Sequence, residues 1–191
     1  MKRIKKSLLS ITILLLITLN ISAQQPEGNS VKGQINLNVF AQIPTLYLKY
    51  GAYYGTSYNI DASYGISKHF DLGIYYSCNH ISEKRFQQEI GYNDYSFTHN
   101  FGVESRYFLT SYFIKKPVKY DFYLKVFVGM GVSKRYSELY DVMTNGKEGD
   151  IGLLLGAKYN PIKRLGIMAE FGYGLQSSWI INMGLSFRIK K

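Results

Sequence analysis

A two-residue alternation between large apolar side chains and small or polar ones runs through most of this chain. It is clearest near the C-terminal end, where Trp179, Ile181, Met183, Leu185, Phe187 and Ile189 alternate with Ile180, Asn182, Gly184, Ser186, Arg188 and Lys190. Successive side chains of a β-strand point to opposite faces, so this pattern predicts a strand with one apolar and one polar face. No segment shows sustained helical spacing. The sequence therefore predicts an all-β protein.

The alternation recurs in eight segments, which we interpret as an antiparallel, up-and-down β-barrel. The predicted strands cover residues 33–43, 54–66, 70–81, 96–109, 120–133, 150–160, 164–176 and 179–190. The alternation continues past residue 133, which predicts that the fifth and sixth strands project as a long hairpin. Within that hairpin, Asn145-Gly146 is typical of a tight turn. Pro161-Ile162-Lys163 predicts a second short turn.

The first 23 residues predict a cleaved signal peptide. Lys2, Arg3, Lys5 and Lys6 form a basic start, an apolar run covers residues 8–19, and Ala23 offers a small residue for cleavage. A retained membrane anchor is the alternative, but the run is shorter than the roughly 20 residues that a spanning helix needs. Residues 24–191 then form one barrel domain.

Composition narrows the classes of partner. Without the four cations of the signal peptide, 19 basic residues face 13 acidic ones, a net charge of +6. These charges are spread along the chain, which disfavours a nucleic-acid partner and favours anionic lipid head groups. Cys78 is the single cysteine, so no internal disulfide forms. We expect no cofactor and no metal centre.

The volume of the apolar side chains indicates which face points outward. About 43 of them share the apolar face, more than the interior of an eight-stranded barrel holds. The apolar face must therefore point into lipid, which predicts a transmembrane barrel. Aromatic residues near both strand ends would form its two interfacial girdles. These are Tyr58, Tyr64, Tyr76, Phe101, Tyr107, Phe122, Tyr159, Tyr173, Trp179 and Phe187.

As a pattern over residues 33–191, the chain resembles the small eight-stranded outer-membrane proteins: the OmpA transmembrane domain, OmpX and porin-like barrel domains. The resemblance implies a monomer in the outer membrane of a Gram-negative envelope, in contact with lipopolysaccharide. It also implies insertion by the barrel-assembly machinery, which often reads a terminal aromatic residue. Here Phe187 is followed by four more residues, a departure from that pattern.

Charged residues on the polar face would share the narrow lumen. They are Asp61, Glu104, Arg106, Lys125, Lys158, Glu170 and Arg188. Because an unpaired charge in such a cavity is expensive, we expect them to pair. The pairs would plug the lumen, and the alternative is a gated path for ions or small solutes.

Two weaker patterns suggest chemistry. His80 and Ser82 resemble the His-x-Ser pair of the lipid A deacylase barrels, but no third residue that would orient the histidine is evident. His80 and His99 would face each other near Cys78, without the spacing of a recognisable metal site. The sequence therefore favours a protein that is not an enzyme, with a lipid-modifying enzyme as the alternative.

The outer loops, at residues 44–53, 82–95 and 136–149, are the expected functional surface. A projecting strand pair could add to a partner's sheet. The leading hypothesis is a structural or surface-interaction protein acting through these loops, with an extracellular protein as the expected partner. A secreted soluble barrel that carries an apolar ligand is disfavoured by the volume argument.

Overall fold

A computed structural model shows eight β-strands and one helical turn, and it describes residues 30–44, 53–85, 92–114, 118–137, 141–162, 164–175 and 178–190. The predicted signal peptide lies outside these residues, as does most of the predicted 44–53 loop. The strands are β1 (Ile35–Pro44), β2 (Tyr53–Gly65), β3 (Phe70–Arg85), β4 (Tyr92–Phe108), β5 (Tyr120–Ser137), β6 (Val142–Ile162), β7 (Leu165–Gly174) and β8 (Ser178–Lys190). The helical turn, α1 (Thr110–Phe113), lies between β4 and β5.

The strands form a closed antiparallel barrel. Each strand pairs with its neighbours in sequence, and β1 pairs with β8 to close the sheet. The predicted up-and-down barrel is therefore confirmed. The start of β1 and the end of β8 lie at one end of the barrel, called here the terminal end, and the opposite end is called the far end. Among the described residues, no helix is long and apolar enough to cross a bilayer.

The side chains alternate between the two faces of the sheet as predicted. On β5, Val126 is 38% exposed whereas Lys125 is 1% exposed, and on β6 the same contrast separates Leu155 from Leu154. Leu, Ile, Val, Met and aromatic side chains cover the outside of the barrel, while polar, charged and glycine residues fill most of the inside. The apolar face therefore points outward. Exposure of this face is favourable only in a nonpolar solvent.

The strands differ in length, which corrects two predicted loops. The strands β3 to β6 have 16, 17, 18 and 21 residues, while β1 and β7 have 10 each. The strands β3 and β4 continue into the predicted 82–95 loop, leaving only residues 86–91 undescribed. The strands β5 and β6 likewise continue through most of the predicted 136–149 loop. The barrel thus has one extended wall at its far end, formed by residues 79–85, 92–99, 131–137 and 142–150.

The long hairpin is confirmed, but the predicted turn at Asn145-Gly146 is wrong. Asn145 pairs with Lys134 and Gly146 with Ser133, inside an unbroken β5–β6 register. Asp141, just before β6, has a φ of 47°, which is the left-handed conformation that a turn requires. Continued cross-strand pairing overrides the local preference of Asn-Gly. Pro161 and Ile162 likewise belong to β6, which leaves a shorter link than predicted.

Candidate functional site

Arg106 lies at the centre of a buried charge cluster in the lumen. Its guanidinium contacts the carboxylates of Asp61 and Glu104, and it lies 3.6 Å from Asp71 and 3.9 Å from Glu170. These four acids come from β2, β3, β4 and β7, and all five side chains are at most 2% exposed. One guanidinium thus connects both sides of the barrel through its interior.

Lys125, the register partner of Arg106 on β5, is the second cation of this cluster. Its Nζ lies 2.7 Å from Glu104, 3.4 Å from Asp61 and 3.6 Å from Glu170. The structure therefore brings together five of the seven predicted lumen charges. Removing one partner from such a buried cluster would leave an uncompensated charge.

Asp71 belongs to the cluster but was absent from the predicted set. One carboxylate oxygen accepts a hydrogen bond from the Ser63 hydroxyl at 2.9 Å, and the other accepts one from the Arg106 backbone N–H at 3.1 Å. Its place in the alternation, two residues before the inward Gly73, was the signal that could have identified it.

Lys158 and Arg188, the other two predicted lumen charges, lie outside this cluster of ion pairs. Both lie closer to the terminal end, and neither forms an ion pair with its acids among the described residues. The Nζ of Lys158 donates to the Ser186 hydroxyl at 2.7 Å, and Arg188 is the register partner of Asn36. Alternation predicts that a side chain faces inward, but it does not predict its height along the barrel axis.

Two tyrosine rings lie across glycines of neighbouring strands, and their hydroxyls donate hydrogen bonds to carboxylates beyond those glycines. Tyr75, Gly102, Gly129 and Asp150 are register partners on four adjacent strands. The Tyr75 ring lies over both glycines, and its hydroxyl donates to Asp150 at 2.8 Å. Only glycine leaves this space, because a Cβ at position 102 would lie 2.8 Å from the ring.

The second tyrosine follows the same plan. Tyr123 and Gly156 are register partners on β5 and β6, and Glu170 pairs with Gly156 from β7. The Tyr123 hydroxyl donates to Glu170 at 2.9 Å across the glycine. Both tyrosine–carboxylate hydrogen bonds connect separate strands of the barrel through the lumen.

Buried apolar side chains lie on both sides of the charge cluster. Toward the terminal end Phe40, Phe108 and Met168 pack with Tyr123, and toward the far end Phe127, Leu154 and Ile180 pack with Tyr75. Between Glu104, Asp150 and Asn182, a cavity of about 20 Å³ lies in the described part of the lumen, close to the space of one water molecule. Side chains therefore close this lumen.

The ten predicted girdle residues all lie on the outside of the barrel. Nine of them are at least 38% exposed. The exception, Tyr107, is half-buried because it contacts Tyr112 of α1, with ring centroids 5.7 Å apart. Their role at a membrane interface stays a prediction.

The residues of the predicted His-x-Ser pair lie at the far end of β3. The His80 ring stacks on Phe97 with centroids 4.3 Å apart, and the side chain of Ser82 lies outside the described residues. His99 pairs with Cys78 in the register, and its Nδ1 lies 2.8 Å from the Tyr76 hydroxyl. Within the described ranges, no group of three or more His, Cys, Asp and Glu residues could hold a metal ion.

The extended wall carries aromatic rings on its outer face. Tyr95 stacks on Tyr136 at 4.9 Å and meets Phe97 edge-on at 5.9 Å. The wall ends at β6, because β7 pairs with β6 only from Gly152 onward, and the Leu175 N–H binds the Ile151 carbonyl. Residues 142–148 therefore pair with β5 on one side and with no described strand on the other. We call this open side the β6 edge.

Comparisons with solved structures identify the architecture. Over 87% of this chain and all of the other, it matches the outer-membrane protein OprG from Pseudomonas aeruginosa, with a TM-score of 0.60 at 8% identity. This is the fold of the small eight-stranded outer-membrane β-barrels. The N-terminal barrel domain of OprF from Pseudomonas aeruginosa also matches, with a TM-score of 0.53 at 12% identity over 83% of this chain and 98% of that one.

A third match is a solved structure of similar fold that contains a bound ligand. It is Ail, the attachment invasion locus protein of Yersinia pestis, in complex with the heparin analogue sucrose octasulfate. It has a TM-score of 0.52 at 11% identity and covers 83% of this chain and 99% of that one. No family model and no curated protein sequence matches the chain. At these identities the likeness defines the fold.

Proposed function

We propose that this protein is an integral outer-membrane barrel with a plugged lumen, and that it binds an extended segment of a partner protein along its β6 edge. The observation that carries the proposal is the open pairing of residues 142–148, which project from an otherwise closed sheet. The far end of the barrel is then its extracellular end.

The outer surface supports the membrane location. Large apolar side chains cover it on every strand. Soluble monomers rarely expose so large an apolar surface to water. The predicted signal peptide and the barrel fold favour the outer membrane, because closed barrels satisfy every backbone hydrogen bond within lipid. The outer loops remain the expected functional surface, with the extended wall as their structured part.

The lumen supports a role other than conduction. A conducting pathway would have to separate Arg106 and Lys125 from carboxylates on four strands, and also displace the apolar layers on both sides. Breaking a buried ion pair typically costs about 3–5 kcal/mol. The charge cluster therefore acts as a plug that stiffens the barrel.

The β6 edge has the features of a strand-addition site. An exposed edge strand presents unpaired N–H and C=O groups, which proteins usually protect with proline, bulges or charges. The pairing of β5 with β6 shows no bulge up to Val142, and residues 142–146 contain neither proline nor a charged residue. Val142 and Met143 are 48% and 59% exposed, and they offer apolar contacts to an added strand.

Site-specific photo-crosslinking tests this proposal in intact cells. We expect a benzoyl-phenylalanine at Met143, on the edge, to give a discrete adduct of higher mass. The same group at Lys134 should give none, because Lys134 lies on the adjacent β5 and has strands on both sides. The variant Asn145→Lys, which adds a charge to the edge, should abolish the Met143 adduct.

The control for folding is the heat-dependent shift of the barrel on a gel, which all three variants should retain. A proposal based on strand addition fails if Met143 gives no adduct, or if Lys134 gives the same adduct as Met143.

A further inference from the structure

The terminal end of the barrel carries exposed cations but no exposed acid within its described residues, which are 30–34, 65–71, 108–114, 118–121, 158–162, 164–166 and 186–190. The cations at its surface include Lys32, Lys119 and Arg164, which are exposed, and Lys68, which is half-buried. The acids in these ranges are Asp71 and Asp121, and both are at most 6% exposed. The far end differs, because Asp141 and Glu148 are exposed there.

These four cations are distributed around the barrel. Lys32 precedes β1, Lys68 lies between β2 and β3, Lys119 precedes β5, and Arg164 lies between β6 and β7. Their backbone positions are fixed, since the carbonyls of Lys68, Lys119 and Arg164 each accept an N–H hydrogen bond from another segment, at 3.1, 2.6 and 2.9 Å. Positive charge therefore surrounds the terminal end and does not form a single compact site.

The helical turn α1 adds an exposed aromatic side chain to this end. Phe113 is 83% exposed. The preceding Tyr112 is held by two rings, with centroids 5.7 Å from Tyr107 on the outer face and 4.5 Å from His69. The turn is thus fixed beside the apolar outer surface, with Phe113 projecting from it. Aromatic and basic side chains together are typical of segments that lie at a membrane interface.

We propose that the terminal end concentrates anionic phospholipids around the barrel, through these cations and with Phe113 at the level of the head groups. A lipid leaflet fits this surface because the cations border the apolar outer face, as where Lys119 is followed by the outward, 44% exposed Tyr120. Basic residues near a membrane surface attract anionic lipid, each by about fivefold. The inference rests on the membrane location in the proposed function, and it is independent of the β6 edge. The leaflet concerned is then the periplasmic one.

Local quenching by brominated lipids tests the proposal. In a Trp179→Phe background, Phe113→Trp places the single tryptophan of the chain on α1. The full barrel is refolded in phosphatidylcholine vesicles at about 10 mM NaCl, where the screening length is about 30 Å. Brominated phosphatidylglycerol or brominated phosphatidylcholine is added in increasing fraction, and the quenching of the indole gives the ratio of their binding constants at this end. We expect phosphatidylglycerol to bind about fivefold more tightly.

Charge neutralisation distinguishes the two ends of the barrel. The triple variant Lys32→Gln, Lys119→Gln, Arg164→Gln removes exposed cations from the terminal end and should lower the ratio to about half or less. The matched control Lys134→Gln, Arg135→Gln, Lys147→Gln removes three exposed cations from the extended wall and should leave the ratio unchanged. If the first triple variant fails to fold, raising NaCl to about 500 mM serves instead, because salt screens exposed charges and should lower the ratio.

The heat-dependent shift on a gel reports insertion separately. A barrel that does not insert would contradict the membrane location and, with it, this inference. In an inserted barrel, equal quenching by the two lipids would overturn the inference and leave the membrane location standing. An equal effect of both triple variants, or a ratio that salt does not lower, would overturn it in the same way. An indole quenched by neither lipid would contradict the interfacial position of Phe113.

Discussion

The Arg106 side chain pairs with carboxylates that lie on several different strands. Its position on β4 follows from the alternation of the sequence, and so does the inward direction of Asp61, Glu104, Lys125 and Glu170. The contacts among them depend on the register of strands far apart in sequence. For this reason the sequence could predict which charges face inward but not which of them form ion pairs with one another, as Lys158 and Arg188 illustrate.

Replacing Arg106 should be the most damaging change in the lumen. Arg106→Met keeps most of the side-chain volume but leaves four carboxylates with Lys125 alone. We expect the free energy of unfolding in micelles to fall by about 3–5 kcal/mol. Urea unfolding followed by tyrosine and tryptophan fluorescence measures the change. Arg135→Met, at an exposed position of the extended wall, is the control and should change it by less than about 0.5 kcal/mol. Similar losses in both variants would contradict the plug.

His69 predicts a pH dependence at the terminal end. It lies in the link between β2 and β3, where its buried ring faces Tyr112 with centroids 4.5 Å apart. Burial lowers the pKa of the His69 imidazole, and the nearby Lys68 lowers it further. The folded protein therefore favours the neutral ring, whereas the unfolded chain takes up a proton near pH 6.5.

The stability that depends on neutral His69 is complete above about pH 6.5 and is lost as the pH falls below that value. We expect His69→Gln to reduce the slope of unfolding free energy against pH between about 6.5 and 5. Urea unfolding at several pH values gives that slope. An unchanged slope in the variant would show that His69 does not titrate differently in the two states.

At the scale of strands, glycines position the large lumen side chains. The alternation predicts that glycines line the lumen, and it places Tyr75 and Tyr123 on the same inward face. It does not say which glycine lies beside which ring, because that depends on cross-strand register. The structure shows that Gly102, Gly129 and Gly156 are the register neighbours over which these rings lie.

Gly156→Ala tests this packing. The new Cβ would lie 2.1 Å from the Cζ of Tyr123, so either the ring or the strands must move. We expect a loss of about 1–3 kcal/mol in unfolding free energy, the usual cost of overpacking. Gly149→Ala is the control on the same strand, because its Cβ would meet nothing within 4 Å. Equal effects at the two positions would attribute the loss to the backbone and not to the ring.

The long β5–β6 hairpin shows where local sequence signals fail. The two-residue alternation that runs on past residue 133 predicted its length correctly. Asn145-Gly146 predicted the wrong turn because strand pairing continues through it to Val142. The length difference between β6 and β7, which opens the β6 edge, has no local signal, since it depends on where two separate strands stop pairing.

At the scale of the whole molecule, the closed barrel follows from the repeated alternation and the volume of its apolar side chains. Eight segments with one apolar face cannot bury that face inside so narrow a barrel, so it must face lipid. The extended wall and the closed lumen could not be predicted from the alternation, because both depend on the register of the strands in the folded structure. The orientation of the apolar face therefore requires a nonpolar solvent around the barrel.

Spin labels at Leu155 and Val126 measure that solvent directly. With the protein in lipid vesicles, nitroxides at these two outward positions should be relaxed strongly by dissolved oxygen and weakly by a water-soluble nickel complex. A label at Lys147, on the extended wall, should show the opposite preference. Strong relaxation by the nickel complex at Leu155 and Val126, or protection from both reagents, would contradict a lipid-facing exterior.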